Sequence, residues 1–122
     1  MRVLVGVEGS DESETVLRNA IARAVEAGDD VTVAVFAKEE AGQDLDEVEA
    51  AARRELAGSD VAASIVRLEG DPASGLVELA EAEGYDQLVI GGGRRTPLGK
   101  RYLGRITEYV LLNADVPVRL ER

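Results

Sequence analysis

The chain has 122 residues and a formal charge of −10, from 24 acidic and 14 basic side chains. This length is typical of a single domain, and a hydrophobic content of 45% is sufficient for a core. The acidic balance and the aromatic content of 3% disfavour binding to nucleic acid or to an anionic membrane. Cysteine and histidine are both absent, which excludes thiolate catalysis, disulfide bonds and imidazole ligands for a metal.

The composition also predicts a cellular compartment. The first apolar run, residues 3–7, is too short for a signal peptide, and no other run approaches the length of a membrane span. Lys38 and Lys100 are the only lysines. An acidic, lysine-poor and cysteine-free chain suits a high-salt, halophilic cytoplasm, in which screening weakens the repulsion between acids. We therefore expect a soluble cytoplasmic protein.

Five apolar strand patterns alternate with four helix patterns along the chain. The strands are expected at residues 3–7, 31–36, 61–68, 87–90 and 115–120. Pro117 cannot donate a hydrogen bond to a neighbouring strand, which favours an edge position or a strand start for the last pattern. Strands that alternate with helices predict a parallel α/β sheet that is covered on both faces by right-handed crossovers.

The helices are predicted from their start signals, their apolar faces and the glycines that follow them. Ser10 or Asp11 caps the first, which ends at Gly28, and Asp71 caps the third, with Pro72 at its first position. The remaining signals are Leu45, Val48, Ala52, Leu56 and Gly58 for the second helix, Leu76, Leu79, Ala80 and Gly84 for the third, and Leu103, Ile106 and Val110 for the fourth.

Residues 91–107, here called the cationic stretch, form the first candidate site. Five of the 14 basic residues lie between Arg94 and Arg105, and no acid lies among them. The stretch is predicted to leave a strand, cross a glycine-rich loop and enter a helix, which is a geometry that binds anions. It is not a P-loop, because five residues separate Gly93 from Gly99 instead of four, and Thr96 breaks a dinucleotide fingerprint.

In an open parallel sheet, ligands bind at the carboxyl ends of the strands where the strand order reverses. With the order 3-2-1-4-5, this reversal lies between the first and fourth strands. The loop at residues 7–10 and the cationic stretch would meet there.

The chain resembles the universal stress protein family over essentially its whole length. Nucleotide-binding members carry Gly-x2-Gly-x9-Gly-Ser/Thr after the fourth strand, and Gly91 and Gly104 have the spacing of the outer glycines. Residues 3–10, 70–72, 88–91 and 114–118 are similar to the family's corresponding segments. The resemblance implies a single-domain, Rossmann-like sandwich of the adenine nucleotide alpha hydrolase-like type over residues 1–122.

The resemblance also implies a ligand, its site and a partner. The ligand is a nucleotide such as ATP or AMP, with Mg²⁺ accompanying it, and the partner is a second copy paired through the last strand near residues 116–120. The implied contacts are Gly6, Val7 and Glu8 on the nucleoside side, Phe36 at the adenine, and Ile90, Gly91, Arg94, Gly104, Arg105, Ile106 and Thr107 on the ribose and phosphate side.

Three departures from the family pattern leave alternatives open. Arg94 replaces the second motif glycine, Arg105 replaces the Ser/Thr, and Glu8 replaces the usual aspartate. The two arginines either bind phosphate through charge-assisted hydrogen bonds or fill the space that a phosphate needs, which would leave an interaction module without a nucleotide. The third alternative is a slow nucleotide hydrolase that uses Glu8, Asp11 or metal-bound water, but no catalytic residue stands out.

Other charged residues have simpler explanations beside the functional ones. Glu8 suits the first turn of a helix, and Lys100 and Arg101 offset nearby acids. Ser10 and Asp11 are interpreted as helix caps. The acids of the second helix lack the spacing of a calcium loop, and a solvated helix face is expected for them; they are Asp44, Asp46, Glu47 and Glu49.

Overall fold

The computed structural model describes residues 1–8, 11–37, 44–91, 94–95, 101–102 and 104–121, and at residues 11–12, 94–95 and 101–102 it describes the backbone only. The elements follow the alternation that the sequence predicts. In chain order they are β1 Arg2–Val7, α1 Asp11–Ala27, β2 Asp30–Val35, α2 Leu45–Ala57, β3 Ala62–Arg67, α3 Pro72–Ala82, β4 Gln87–Gly91, β5 Arg94–Arg95, β6 Arg101–Tyr102, α4 Arg105–Asn113 and β7 Val118–Glu121.

Five strands form one parallel sheet in the order β3-β2-β1-β4-β7. This confirms the predicted order, with β7 as the fifth strand, and β7 is an edge strand that begins directly after Pro117. None of the helices in the described part of the chain combines the length and apolar character that a membrane span requires.

The core has two layers because β1 and β2 are apolar on both faces. Val3, Val5 and Val7 of β1 belong to the cluster that packs against α1 and α2. Leu4 belongs to the opposite cluster, together with Leu76 of α3 and Val110 of α4. Alternation along a strand thus sends neighbouring residues into different layers.

The helix ends follow local signals. The Asp71 carboxylate accepts a hydrogen bond from Ser74 N at 3.1 Å, and Pro72 occupies the first turn of α3. Gly28 adopts the left-handed conformation directly after α1, with φ of 73°, and Gly84 does so two residues after the end of α3, with φ of 65°. The start of α3 and the ends of α1, α2 and α3 confirm the predicted ones, whereas Asp11 is the first residue of α1 and not its cap; Ser10 and Leu103 lie outside the described residues.

Two predictions need correction. Within the cationic stretch, predicted as a loop, β5 and β6 form an antiparallel pair that joins Arg94 to Tyr102 and Arg95 to Arg101. The second correction concerns the acids at α2, which are not simply solvated: Asp44 caps the helix through Glu47 N, and Asp46 and Glu49 both pair with Arg67 of β3. The sequence did not reveal this pairing, because it depends on how α2 lies beside β3.

Candidate functional site

The sheet opens between its two central strands at the carboxyl edge. β1 pairs with β4 from Val3↔Gln87 to Val5↔Val89, although β1 continues to Val7 and β4 to Gly91. On their other sides, the same strands stay paired to their ends, at Val7↔Val35 and Gly91↔Glu121. The resulting gap, here called the crevice, lies at the reversal of strand order, where ligands bind in this class of sheet.

Four of the predicted site residues are buried at the base of the crevice. Phe36 is only 4% exposed and its N–H donates to Val7 O at 3.0 Å. Ile90 lies in the same apolar cluster as Phe36, whereas Val7 lies in the opposite one. A Cβ on Gly6 would lie 3.1 Å from Leu76 Cδ1. Gly6 therefore allows α3 to pack closely against β1.

The start of α4 forms one wall of the crevice. Gly104 is the N-cap residue, with φ −68° and ψ 164°, and it provides no side-chain hydrogen bond to the first turn. Thr107 Oγ1 donates to Gly91 O at 3.1 Å, which fixes this turn against the end of β4. Backbone N–H groups in the first turn of a helix have no partner within the helix, and the helix dipole makes them attractive to an anion.

Arg105 stands beside these donors and contacts the start of α3. Its Nη2 lies 3.5 Å from Asp71 Oδ1, and the two side chains are 82% and 48% exposed. Hydrogen bonds from Ser74 N and Ser74 Oγ, followed by the charge of Arg105, lower the pKa of Asp71 below its ordinary value of 3.8. Arg105 is thus a surface cation held loosely by an ionised carboxylate.

Glu8 lies on the β1 side of the crevice and is half-buried. Its backbone N–H donates to the hydroxyl of Ser13 at 3.0 Å, and Ser13 itself is buried in α1. This contact joins the end of β1 to the first turn of α1. No sequence signal distinguishes Ser13, because a serine in the first turn of a helix is common and nothing local shows that a strand end lies next to it.

The position of one predicted site residue remains partly undescribed. The backbone of Arg94 pairs with that of Tyr102, but the Arg94 side chain lies outside the described part of the structure, as do residues 92–93 and 96–100. Of the predicted set, the structure brings Glu8, Gly91, Gly104, Arg105, Ile106 and Thr107 to the ends of β1 and β4 and the start of α4.

The chemistry of the described groups is that of anion binding. Among the described residues, the crevice has backbone N–H donors and the Arg105 guanidinium on the α4 side, and Glu8 on the β1 side. Within the described ranges, no three acids come close enough together to hold a metal ion.

Comparison with known proteins identifies one family. The model of the universal stress protein family matches residues 1–120. A universal stress protein of Methanocaldococcus jannaschii is 43% identical over 51 residues, a segment that covers 42% of this chain and only 30% of that relative.

Solved structures match over much more of the chain. A universal stress protein from Archaeoglobus fulgidus is 28% identical with a TM-score of 0.79, and the match covers 97% of this chain and 96% of that one. A universal stress protein in complex with cAMP is 26% identical with a TM-score of 0.76, and covers 99% and 95% of the two chains.

Proposed function

The chain belongs to the universal stress protein family, and from this membership we propose that it binds an adenine nucleotide in the crevice. The observation that carries the proposal is the early end of the β1–β4 pairing beside the uncapped start of α4. The similar protein in complex with cAMP supports the ligand class, an adenosine with a phosphate.

In this proposal the phosphate lies against the first turn of α4, where Arg105 and the N–H groups of Ile106 and Thr107 surround it. The ribose and base extend past Gly91 towards Glu8, above the buried ring of Phe36. Mg²⁺ would enter on the phosphates of ATP, because the described residues contain no acidic cluster to hold it. Occupancy of the crevice by AMP or ATP would then report the energy or stress state of the cytoplasm.

The position of Arg105 favours nucleotide binding over the alternative in which arginine fills the crevice. Its side chain is 82% exposed and is directed to Asp71. Its guanidinium is paired with Asp71 and leaves the first turn of α4 without a side-chain cap. The same guanidinium is available to a phosphate through a small change of rotamer.

Substitution at Gly104 tests the proposed phosphate position. Among the described residues, a Cβ at Gly104 would meet no atom within 4 Å, and its backbone conformation suits any residue. Gly104→Asp and Gly104→Asn both supply an N-cap and should preserve or raise stability. Only the aspartate places a negative charge where the phosphate would lie.

The measurement is calorimetric titration of the purified protein with AMP, cAMP and ATP. We expect saturable binding by the unmodified chain, weaker binding by Gly104→Asn, whose amide oxygen accepts from the same first-turn N–H groups, and loss of binding by Gly104→Asp, which also adds a negative charge. A thermal shift should accompany binding, since a ligand at about 100 times its Kd stabilises by about 2.7 kcal/mol. Absence of both signals at about millimolar nucleotide contradicts the proposal.

The proposal includes a homodimer that pairs through β7. Leu88 N donates to Pro117 O at 2.9 Å, so the alternation of a parallel ladder turns the N–H and C=O of Val118 away from the sheet. Such an edge accepts a strand from a second copy.

Sedimentation equilibrium should give about twice the 13.0 kDa chain mass. Val118→Pro, which removes the outward donor, should give a monomer with an unchanged circular dichroism spectrum; a monomeric parent protein contradicts this part.

A further inference from the structure

We propose that Asp71 competes with the ligand phosphate for Arg105, so that the Asp71–Arg105 ion pair makes binding depend on the charge of the phosphate. This inference rests on the proposed function, because it assigns a selective role to two residues beside the same crevice. Arg105 would distinguish ligands by the charge of their phosphate. Asp71 would set how strongly affinity depends on that charge.

The position of Arg105 favours an anion nearby. It is the first residue of α4, where the dipole of a helix disfavours a cation. Asp71 is the N-cap of α3, where the same dipole favours a carboxylate. Both helices lie on the same side of the sheet, since Leu76 of α3 and Val110 of α4 share one cluster. Their starts are close enough for the 3.5 Å contact between Arg105 and Asp71.

The position of Asp71 does not depend on its contact with Arg105. Its Oδ2 accepts from Ser74 N at 3.1 Å and from Ser74 Oγ at 2.9 Å, while Oδ1 faces Arg105. Asp71 therefore keeps two hydrogen bonds and its place at the start of α3 when the guanidinium leaves. An exposed ion pair of this kind is weak, so a strongly charged phosphate outcompetes it.

The competing groups predict an order of effects. A phosphate monoester such as AMP carries a charge of about −1.5 to −2 at neutral pH, the diester of cAMP carries a single charge, and adenosine carries none. Removal of the Asp71 charge should therefore strengthen binding of AMP most, cAMP less and adenosine not at all. Removal of the Arg105 charge should weaken binding in the same order.

The test is calorimetric titration with AMP, cAMP and adenosine of the full chain and three variants, Asp71→Asn, Arg105→Gln and the double variant. Asparagine retains the cap of α3, so the fold should be kept. We expect Asp71→Asn to tighten AMP binding about two- to fivefold and Arg105→Gln to weaken it about three- to tenfold. In the double variant, the Asp71→Asn effect should disappear.

Arg18→Gln is the matched control, because Arg18 also forms an exposed ion pair, with Glu55 at 3.1 Å, but between α1 and α2. It should leave all three affinities unchanged. If AMP binds and Asp71→Asn has no effect, or has the same effect on adenosine, the competition is refuted while the proposed function stands. If neither the full chain nor any variant binds AMP, both proposals fail.

Discussion

Gly6 shows how one missing side chain determines the packing of a layer. An added Cβ would lie 3.1 and 3.3 Å from the two Cδ atoms of Leu76 and 3.4 Å from Ile90 Cγ2. All three contacts are tight, and both neighbours are buried. Gly6→Ala should therefore lower the free energy of unfolding by about 1–3 kcal/mol through overpacking. Urea denaturation, read from the midpoint at constant slope, measures the change.

Gly75→Ala is the matched control for Gly6→Ala. Gly75 lies within α3, and its added Cβ would meet only the Leu68 methyl groups at 3.8 Å, an ordinary contact. Alanine in a helix is favoured over glycine, so this variant should gain about 0.5–1 kcal/mol. Equal effects of the two substitutions would mean that the crowding at Gly6 relaxes without cost.

Residue roles of this kind were the least predictable from the sequence. The family resemblance places Gly6 on the nucleoside side, and that remains a prediction. Its packing against Leu76 is a different property, which requires knowledge of how α3 lies across β1. Asp71 was predicted as a helix cap from the local Gly-Asp-Pro signal, whereas its contact with Arg105 depends on two helices that are distant in sequence.

At the scale of elements, a side-chain hydroxyl links the end of β4 to the start of α4. Thr107 Oγ1 donates to Gly91 O at 3.1 Å in a partly buried position. Thr107→Val keeps the shape of the side chain but leaves the carbonyl without this donor. We expect a loss of about 1 kcal/mol of stability, and weaker AMP binding because the first turn of α4 is less firmly held.

The same substitution on the sheet surface provides the comparison. Thr32 Oγ1 lies 3.3 Å from Ser64 Oγ in an exposed pair on β2 and β3, where water replaces the lost partner. Thr32→Val should change stability by less than about 0.5 kcal/mol. If both variants lose the same stability and AMP affinity is unchanged in each, the hydrogen bond from Thr107 to Gly91 has no particular role in holding the start of α4.

The start of α3 should respond to pH through Asp71. Its lowered pKa means that folding favours the ionised carboxylate, mainly through the hydrogen bonds from Ser74 and less through Arg105. This stabilisation is complete above the unfolded pKa, near 3.8, and is lost as the pH falls through the lower folded value.

Asp71→Asn isolates this contribution because asparagine caps the helix without titrating. The difference in free energy of unfolding between the parent chain and Asp71→Asn should not vary with pH around about pH 6. It should shrink as the pH falls below about 4. Urea midpoints for both proteins across this range give the measurement. A difference that stays constant down to about pH 2.5 would show that the Asp71 charge makes no contribution to the fold.

Elements with local signals were predicted closely, and the others were not. The start of α3 was predicted to the residue because Asp71 and Pro72 act within one turn. β7 begins at Val118 and not at residue 115, since Pro117 lacks the donor that a ladder needs. The two-residue pairing of β5 with β6 has no hydrophobic pattern, so it could not be predicted from periodicity.

For the whole molecule, the predicted sheet order is confirmed although strand periodicity alone does not establish it, and the shape of the crevice was not predictable. The apolar run of β1 indicates a strand that is covered on both faces, and a central β1 places the reversal of order beside β4. The end of the β1–β4 ladder at Val5↔Val89 depends on small shifts between paired backbones. Sequence periodicity contains no information on such shifts.

The net charge predicts how the whole molecule responds to salt. The chain has ten more acids than bases, 24 against 14, so repulsion between acids opposes the compact state. Salt also weakens exposed ion pairs such as Arg18–Glu55 and Arg67–Glu49, but each of these contributes only about 0–1 kcal/mol. Because the acids outnumber the bases, repulsion between acids outweighs the attraction within the ion pairs. Screening by salt should therefore stabilise the fold.

We therefore expect the unfolding temperature to rise as KCl increases from about 0.1 M to about 1 M, over which the Debye length falls from about 10 Å to about 3 Å. A gain of about 1 kcal/mol corresponds to about 4 °C for a chain of this size. Sucrose at equal osmolality controls for effects of excluded solute that do not involve charge. If KCl lowers the unfolding temperature, or raises it no more than sucrose does, the surface ion pairs outweigh the repulsion and the acidic composition does not favour a high-salt cytoplasm.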